Sequence, residues 1–296
     1  MAGALLEAHA FRVVRHALTL PGDRGTSARL RILHISDTHY LPGQRDKARF
    51  IASLVEVQPD LVVATGDLLA DDAGFDEFIE AMSGLLALPG VFVFGSNDYY
   101  APTLANPFAY LVRKPGARRP KGRPLDWRRV RDACTAAGWQ HVDNARTRLD
   151  VVGLTVEVRG AGDAHMRKDD YAAGASLAPA AWGQVPPDLV LGVTHAPYRR
   201  VLDAMAGDGV GLMLAGHTHG GQICLPWGAI LSNCDLPPAF ARGLHRYPVE
   251  RAQEPPVTQS WLHVTGGIGT APAFPLRTFC RPEACVLDVE LSRRDC

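Results

Sequence analysis

The sequence predicts an α/β protein, one sandwich of two sheets flanked by helices, and three observations carry that reading. The first third alternates short apolar runs with amphipathic stretches in the order strand, helix, strand, helix, strand. The second half is richer in apolar runs, several of which end in Gly, Thr or His. No linker separates the halves, so all 296 residues read as a single domain, 47% hydrophobic and with ample material for a core.

Residues 10–20 alternate loosely and predict an edge strand, closed by a turn over Pro21 to Ser27. Leu30 to Ile35 reads as a buried strand running into Ser36-Asp37-Thr38-His39. Gln44 to Val57 places Phe50, Ile51, Leu54 and Val55 on one helical face, and Pro59 stops it. Leu61 to Ala64 is the next strand and ends in Thr65-Gly66-Asp67. Phe75 to Leu88 is the next helix, and Val91 to Phe94 a third strand ending in Gly95-Ser96-Asn97-Asp98. Parallel strands joined by right-handed crossovers gather the loops at their carboxyl ends in one crevice. Asp37, His39, Asp67 and Asn97 should therefore converge.

The pattern breaks at about 101–125, read as a basic loop insertion. Between Arg113 and Arg131 stand nine Lys or Arg against one acid, Asp126. Two readings stay open: a solvated loop, or a basic lid over an anionic substrate or membrane headgroups. Tyr99, Tyr100, Phe108 and Tyr110 sit at its root. Asp126 then caps a helix bearing Trp127, Val130 and Cys134, ended by Gly138.

Arg146 to Arg159 alternates as a hairpin and leads to Gly160-Ala161-Gly162-Asp163-Ala164-His165. Leu189 to Val193 is a buried strand ending in Thr194-His195. Pro197 and Gly207 bracket a helix, and Val210 to Ala215 is a strand ending in Gly216-His217-Thr218-His219-Gly220-Gly221-Gln222. On an extended backbone His217 and His219 would point to one face and reach a single centre. Residues 222–260 read as loop, followed by strands at Trp261 to Thr265 and Ala284 to Leu291.

Formal net charge is zero, which gives no global pull on nucleic acid or membrane. Charged residues interrupt the apolar character of Met1 to Leu20, and no stretch is long enough to span a bilayer. The six cysteines form no CxxC pair, so a reduced, cytoplasmic setting is expected.

The residues collected at strand ends are Asp37, His39, Asp67, Asn97, His195, His217 and His219. Carboxylates and imidazoles together suit Mn, Fe, Zn or Mg. Two ions ~3.5–4 Å apart would need a shared ligand, and Asp67, with two carboxylate oxygens, is the natural bridge. Such a pair can deprotonate a bridging water and clamp the oxygens of a phosphate.

Asp37-x-His39, Gly66-Asp67, Gly95-Ser96-Asn97-Asp98, Thr194-His195 and Gly216-His217-Thr218-His219 resemble the five motifs of the calcineurin-like metallophosphoesterases. Gly216 to Gln222, with Arg277 and Pro282-Glu283, most resembles a bacterial phosphodiesterase-like branch. Some of its members cleave lipid-linked or nucleotide-sugar pyrophosphates, and many carry an N-terminal anchor that this sequence does not show. The resemblance implies a four-layer α-β-β-α sandwich of two mixed sheets with a dinuclear site. One metal would take Asp37, His39, Asp67 and His219. The other would take Asp67, His195, His217 and a ligand from the third motif. Ser96, Asp98 and Arg277 would bind substrate.

The third motif departs from the family's Gly-Asn-His-Asp/Glu. Ser96 stands where the amide ligand belongs, and Asn97 where the histidine assisting the leaving group belongs. A hydroxyl is the poorer ligand, which favours Asn97 as ligand and catalytic residue; strand alternation favours Ser96. A lost acid costs roughly 10²–10⁴-fold in rate, least for a good leaving group. The expected function is hydrolysis of a phosphoester or phosphoanhydride on a phosphorylated small molecule or lipid-linked substrate, with peripheral membrane contact through 113–131. A weakened, regulatory metal-binding protein is the alternative. A nuclease is a weaker one, since no aromatics interleave the basic run.

Overall fold

A computed structural model describes residues 2–22, 28–103, 122–176, 182, 185–247, 260–271 and 274–293. Its strands are β1 (Arg12–Gly22), β2 (Ala28–Ile35), β3 (Leu61–Ala64), β4 (Gly90–Phe92), β5 (Gln140–His141), β6 (Arg146–Val151) and β7 (Leu154–Ala161). They continue as β8 (Leu189–Thr194), β9 (Leu212–Ala215), β10 (Cys224–Leu225), β11 (Gly228–Ala229), β12 (Gly243–Tyr247), β13 (Ser260–Val264) and β14 (Glu283–Arg293). Two six-stranded mixed sheets result, ordered β1-β14-β2-β3-β4-β5 and β12-β13-β9-β8-β7-β6.

Period-two alternation explains the layering. On β2, Leu33 and Ile35 face outward under the helices Arg45–Ser53 and Phe75–Leu86, packing with Ile51, Phe78 and Phe92. Leu30 and Ile32 face inward and meet Val156, Leu191, Leu212 and Leu214 of the second sheet. The outer face of that sheet is covered by the helix Arg199–Gly207, whose Val201, Leu202 and Met205 pack on Met213, Leu262 and Val264. Helix, sheet, sheet and helix are thus stacked in four layers, as the resemblance implied.

Most predicted elements stand where the sequence put them, and the differences have local causes. The helix expected to reach Val57 is α-helical only to Ser53 and tightens into a 3₁₀ turn over Leu54–Val57. The strand expected to reach Phe94 ends at Phe92. The loop-rich stretch 222–260 contains β12, which completes the edge of the second sheet beside β13. Trp127–Ala136 is helical with the Asp126 side chain accepting from the backbone N–H of Arg129, so the predicted cap is real.

His34 carries no motif, yet it is fully buried between the sheets. Its Nδ1 lies 2.8 Å from Nδ1 of His263 on β13, and its Nε2 lies 2.9 Å from the Thr65 hydroxyl. Burial pulls the His34 imidazole down to about 3. Phe108, Tyr110, Arg113, Lys114, Arg118, Arg119 and Lys121 lie outside the described residues.

Candidate metal centre

The parallel run β2, β3, β4 brings Asp37, His39, Asp67 and Asn97 to one end of the first sheet. The parallel pair β8, β9 brings His195, His217 and His219 to the same end of the second. Backbone bonds lock these loops together. The Asp37 N–H donates to Gly66 O at 2.8 Å, and the His39 N–H to Asp67 O at 2.9 Å. Across the sandwich the His217 N–H donates to Asp37 Oδ2 at 2.9 Å, and His195 Nδ1 sits 2.6 Å from Thr65 O. Asp37, His39, Asp67, His217 and His219 all take positive φ, between 40° and 70°. Non-glycine residues rarely hold that conformation, and here five do at one place.

The turning backbone corrects one expectation. His217 and His219 are not on an extended segment, and their rings point to different neighbours. His219 stacks on His39, with their Nε2 atoms 3.1 Å apart, and stands 3.6 Å from Asp37 Oδ1. His217 lies instead beside His195 and His165, at ring-centroid distances of 5.2 and 4.6 Å, with its Nε2 3.3 Å from Asn233 O.

Two buried clusters emerge among the described residues: Asp37, His39 and His219, and Asp37, Asp67 and His195, each with ligand atoms within 4.8 Å of one another. Asp37 belongs to both sets, and Asp67 Oδ2 stands 3.6 Å from His39 Nε2 and 3.5 Å from His195 Nε2. Nitrogen and oxygen ligands ~2.0–2.2 Å from a shared ion stand about 3–4 Å apart, which these separations match. Asp37 Oδ1 and His195 Nε2 are buried without a hydrogen-bond partner, a costly state for polar atoms in a protein interior. Both observations fit a cation among these residues.

The electrostatics of His39, His217 and His219 agree. Burial pulls His39 down to about 4 and His219 and His217 well below the ordinary imidazole range, so their lone pairs are available. Burial pushes Asp37 up to about 6. Burial would raise Asp67 too, but His195, His39 and the Asn97 amide together hold it well below the usual carboxylate range. In return Asp67 holds His195 well above its ordinary value against the pull of burial.

The third motif is not extended. Ser96–Tyr99 forms a single helical turn behind Gly95, so strand alternation does not decide between Ser96 and Asn97. The Asn97 N–H donates to Asp67 Oδ1 and its Nδ2 to Oδ2, both at 2.7 Å. Ser96 Oγ is 3.5 Å from Asn97 Nδ2 and makes no such contact with Asp67. A half-turn of the Asn97 amide puts Oδ1 where Nδ2 now stands.

Two residues assigned to substrate face elsewhere. Asp98 is buried, and its carboxylate accepts from the N–H groups of Asp67, Leu68 and Gly95 at 2.7–2.8 Å, fixing the bridge loop. Arg277 is fully buried, and its guanidinium donates to the carbonyls of Gly266, Gly267, Gly269 and Cys280. Both brace backbone, and of the Arg277 guanidinium only Nε is left without a hydrogen-bond partner. Lys47, a helix residue with no sequence signal, donates to Thr38 O at 2.7 Å. Asp163 and His165 follow a strand just as the motif residues do, but no motif marks them in the sequence.

The family model for the calcineurin-like phosphoesterases matches residues 30–221, the span that holds every one of these clusters. The chain belongs to the calcineurin-like phosphoesterases. Its relatives in this family include "Phosphodiesterase YaeI" of Escherichia coli K12, 26% identical over 297 residues, covering 94% of this chain and 88% of that protein. A Bos taurus "Transmembrane protein with metallophosphoesterase domain" is 28% identical over 199 residues, covering 66% of this chain but 41% of that protein. Among solved structures, TT1561 of Thermus thermophilus aligns with a TM-score of 0.44 and 14% identity, over 82% of this chain and 91% of that one. As a member of the family this chain is a metal-dependent phosphoesterase. No helix among the described residues is long and apolar enough to cross a membrane.

Proposed function

We propose that this phosphoesterase cleaves a phosphodiester or phosphoanhydride at two divalent cations that share Asp67. The observation that carries the reading is the place of Asp67 Oδ2, 3.6 Å from His39 Nε2 on one side and 3.5 Å from His195 Nε2 on the other. Asp37, His39, Asp67 and His219 would hold one ion; Asp67, His195, His217 and Asn97 the other. When bound, such a pair lowers the pKa of a shared water and draws charge from the phosphate oxygens.

The chain's own residues do the rest. Asp98 fixes the loop that carries Asp67, so the bridge is presented without reorganisation. Asn97 is neutral and has no proton to give a departing oxygen, so the site suits good leaving groups such as a pyrophosphate or an aryl ester. Lipid-linked or nucleotide-sugar substrates meet that requirement, and a relative named as a phosphodiesterase supports the diester. The described part of the basic segment gives a membrane or lid role little support. Arg123 pairs with Asp71 and Asp72, Arg129 with Asp76, and Arg131 with Asp132.

Manganese is the first ion to test. Metal-stripped protein should hydrolyse bis(p-nitrophenyl) phosphate only after Mn²⁺ is restored, and should cleave a nucleotide-sugar pyrophosphate faster than a phosphomonoester. Equal rates with and without metal, or a preference for the monoester, would overturn the proposal.

A further inference from the structure

The loop after β7 ends beside the crevice, yet nothing above uses it. β7 runs parallel to β8 with Ala161 opposite Thr194, so Gly162 to His165 leave the second sheet next to His195. The His165 ring lies 4.6 Å from that of His217, which lies 5.2 Å from that of His195. Three imidazoles thus form a row, from fully buried His195 through buried His217 to half-buried His165 at the rim.

The loop is held as firmly as the ligand loops. The buried Asp163 carboxylate accepts from the His165 N–H at 2.8 Å, and Asn144 accepts from the Gly162 N–H at 2.8 Å. Asn144 also donates to Lys168 O at 2.8 Å, and Arg200 donates to Ala164 O. The ring itself is fixed by the Tyr198 hydroxyl, 3.0 Å from Nδ1. With the Tyr198 hydroxyl as donor to Nδ1, one of the two directions this contact allows, the neutral ring carries its hydrogen on Nε2 and that edge is a donor. The Tyr198 bond holds the half-buried ring and four others hold the loop backbone around it, more than packing against His217 requires.

We propose that His165 is a catalytic residue that donates a hydrogen bond to the departing oxygen, the contact that Asn97 leaves unfilled in the third motif. The proposal rests on the phosphodiester reading above and needs no change in the charge of His165. A fixed donor aimed at a developing oxyanion is strongest where most charge accumulates, so its value grows as the leaving group worsens.

The test compares wild type, His165→Ala, His165→Gln and Tyr198→Phe, each loaded with Mn²⁺, on aryl phosphodiesters from p-nitrophenyl to unsubstituted phenyl. Bound metal is measured for every variant. His165→Ala should lower kcat on the phenyl ester by about 10²-fold, the usual cost of one oxyanion donor, and on the p-nitrophenyl ester far less. Bound metal should stay at the wild-type level, His165→Gln should recover part of the loss through its amide N–H, and Tyr198→Phe should fall between. A uniform loss across the series, or a loss that tracks missing metal, would show that His165 only packs against His217 and would overturn the proposal. So would an unchanged His165→Ala enzyme. A wild-type chain that turns over none of the diesters would instead sink the phosphodiester reading, a result read before any variant is made.

Discussion

The crevice has a closed half and an open half, and they are built differently. Around Asp37, His39 and His219 every side chain is buried, and the supporting groups hold backbone. Arg277 gathers carbonyls from the 266–269 turn, Lys47 takes Thr38 O, and the Cys280 thiol contacts His219 O at 3.3 Å. Around His195 and His217 the Thr65 and Asn233 carbonyls are joined by side chains that reach outward: Asn97 on Asp67, Asn233 on His217, and His165 with Tyr198. The closed half resembles a protein core that happens to carry ligands. The open half is where side-chain changes can alter chemistry without collapsing the loops, and it is also where the third motif departs from the family pattern.

That contrast can be broken in order of expected size. Asp67→Asn touches both halves, and should lower kcat by about 10³-fold or more with loss of bound metal, since several kcal/mol of charge stabilisation go with it. The fold should survive, as judged by an unchanged far-ultraviolet spectrum. Arg277→Met attacks the closed half alone. It leaves buried carbonyls unpaired at roughly 1–3 kcal/mol each, so the urea midpoint should fall clearly and metal binding should weaken. Asn233→Gly, in the open half, keeps the positive φ of that position and should alter activity while shifting stability by less than about 1 kcal/mol. Equal destabilisation by the two would erase the distinction.

Restoring the family motif sharpens the same contrast. Ser96→Asn with Asn97→His should raise kcat on poor leaving groups by up to roughly 10²-fold and on p-nitrophenyl esters by much less. An equal gain across a leaving-group series would show that the third motif does not supply the acid.

The smallest effect comes from beneath both halves, where His34 meets His263. Its folded-state pKa is depressed to about 3, while the unfolded chain titrates near the ordinary value of 6.5. Between those values the unfolded state binds the extra proton, so stability rises with pH there and is lost as pH falls below 6.5 toward 3. At about pH 5 the penalty is about 2 kcal/mol relative to about pH 8, an upper figure. The gap between the stability curves of wild type and His34→Gln should be constant above about pH 7 and change steadily on the acid side. Parallel curves would show that His34 does not titrate with unfolding.

Much of this was legible in the sequence because strand ends are short-range signals. Apolar runs closed by Asp, His or Gly located β2, β3, β8 and β9, and the crossover rule placed their loops together. What stayed hidden depends on contacts distant in the chain. Arg277 reads in the sequence as a substrate residue; it lies 58 positions from His219, and only the fold shows it bracing backbone. His217 and His219 read as a pair on one face because alternation assumes an extended backbone, and the positive φ at both cancels that assumption. β12 was missed because its five residues, Gly243–Tyr247, carry no apolar run and pair only at a sheet edge. His165 follows a strand like the ligand residues but lacks a recognisable motif.

The most direct test of the shared centre is metal stoichiometry. Elemental analysis of Mn²⁺-saturated, dialysed protein should give two ions per chain for wild type. His219→Ala and His217→Ala should each lose one ion, from the closed and open halves respectively, while Asp67→Asn should lose both. Saturation of wild type at a single ion, with His217→Ala retaining it in full, would contradict a dinuclear site divided between the two halves.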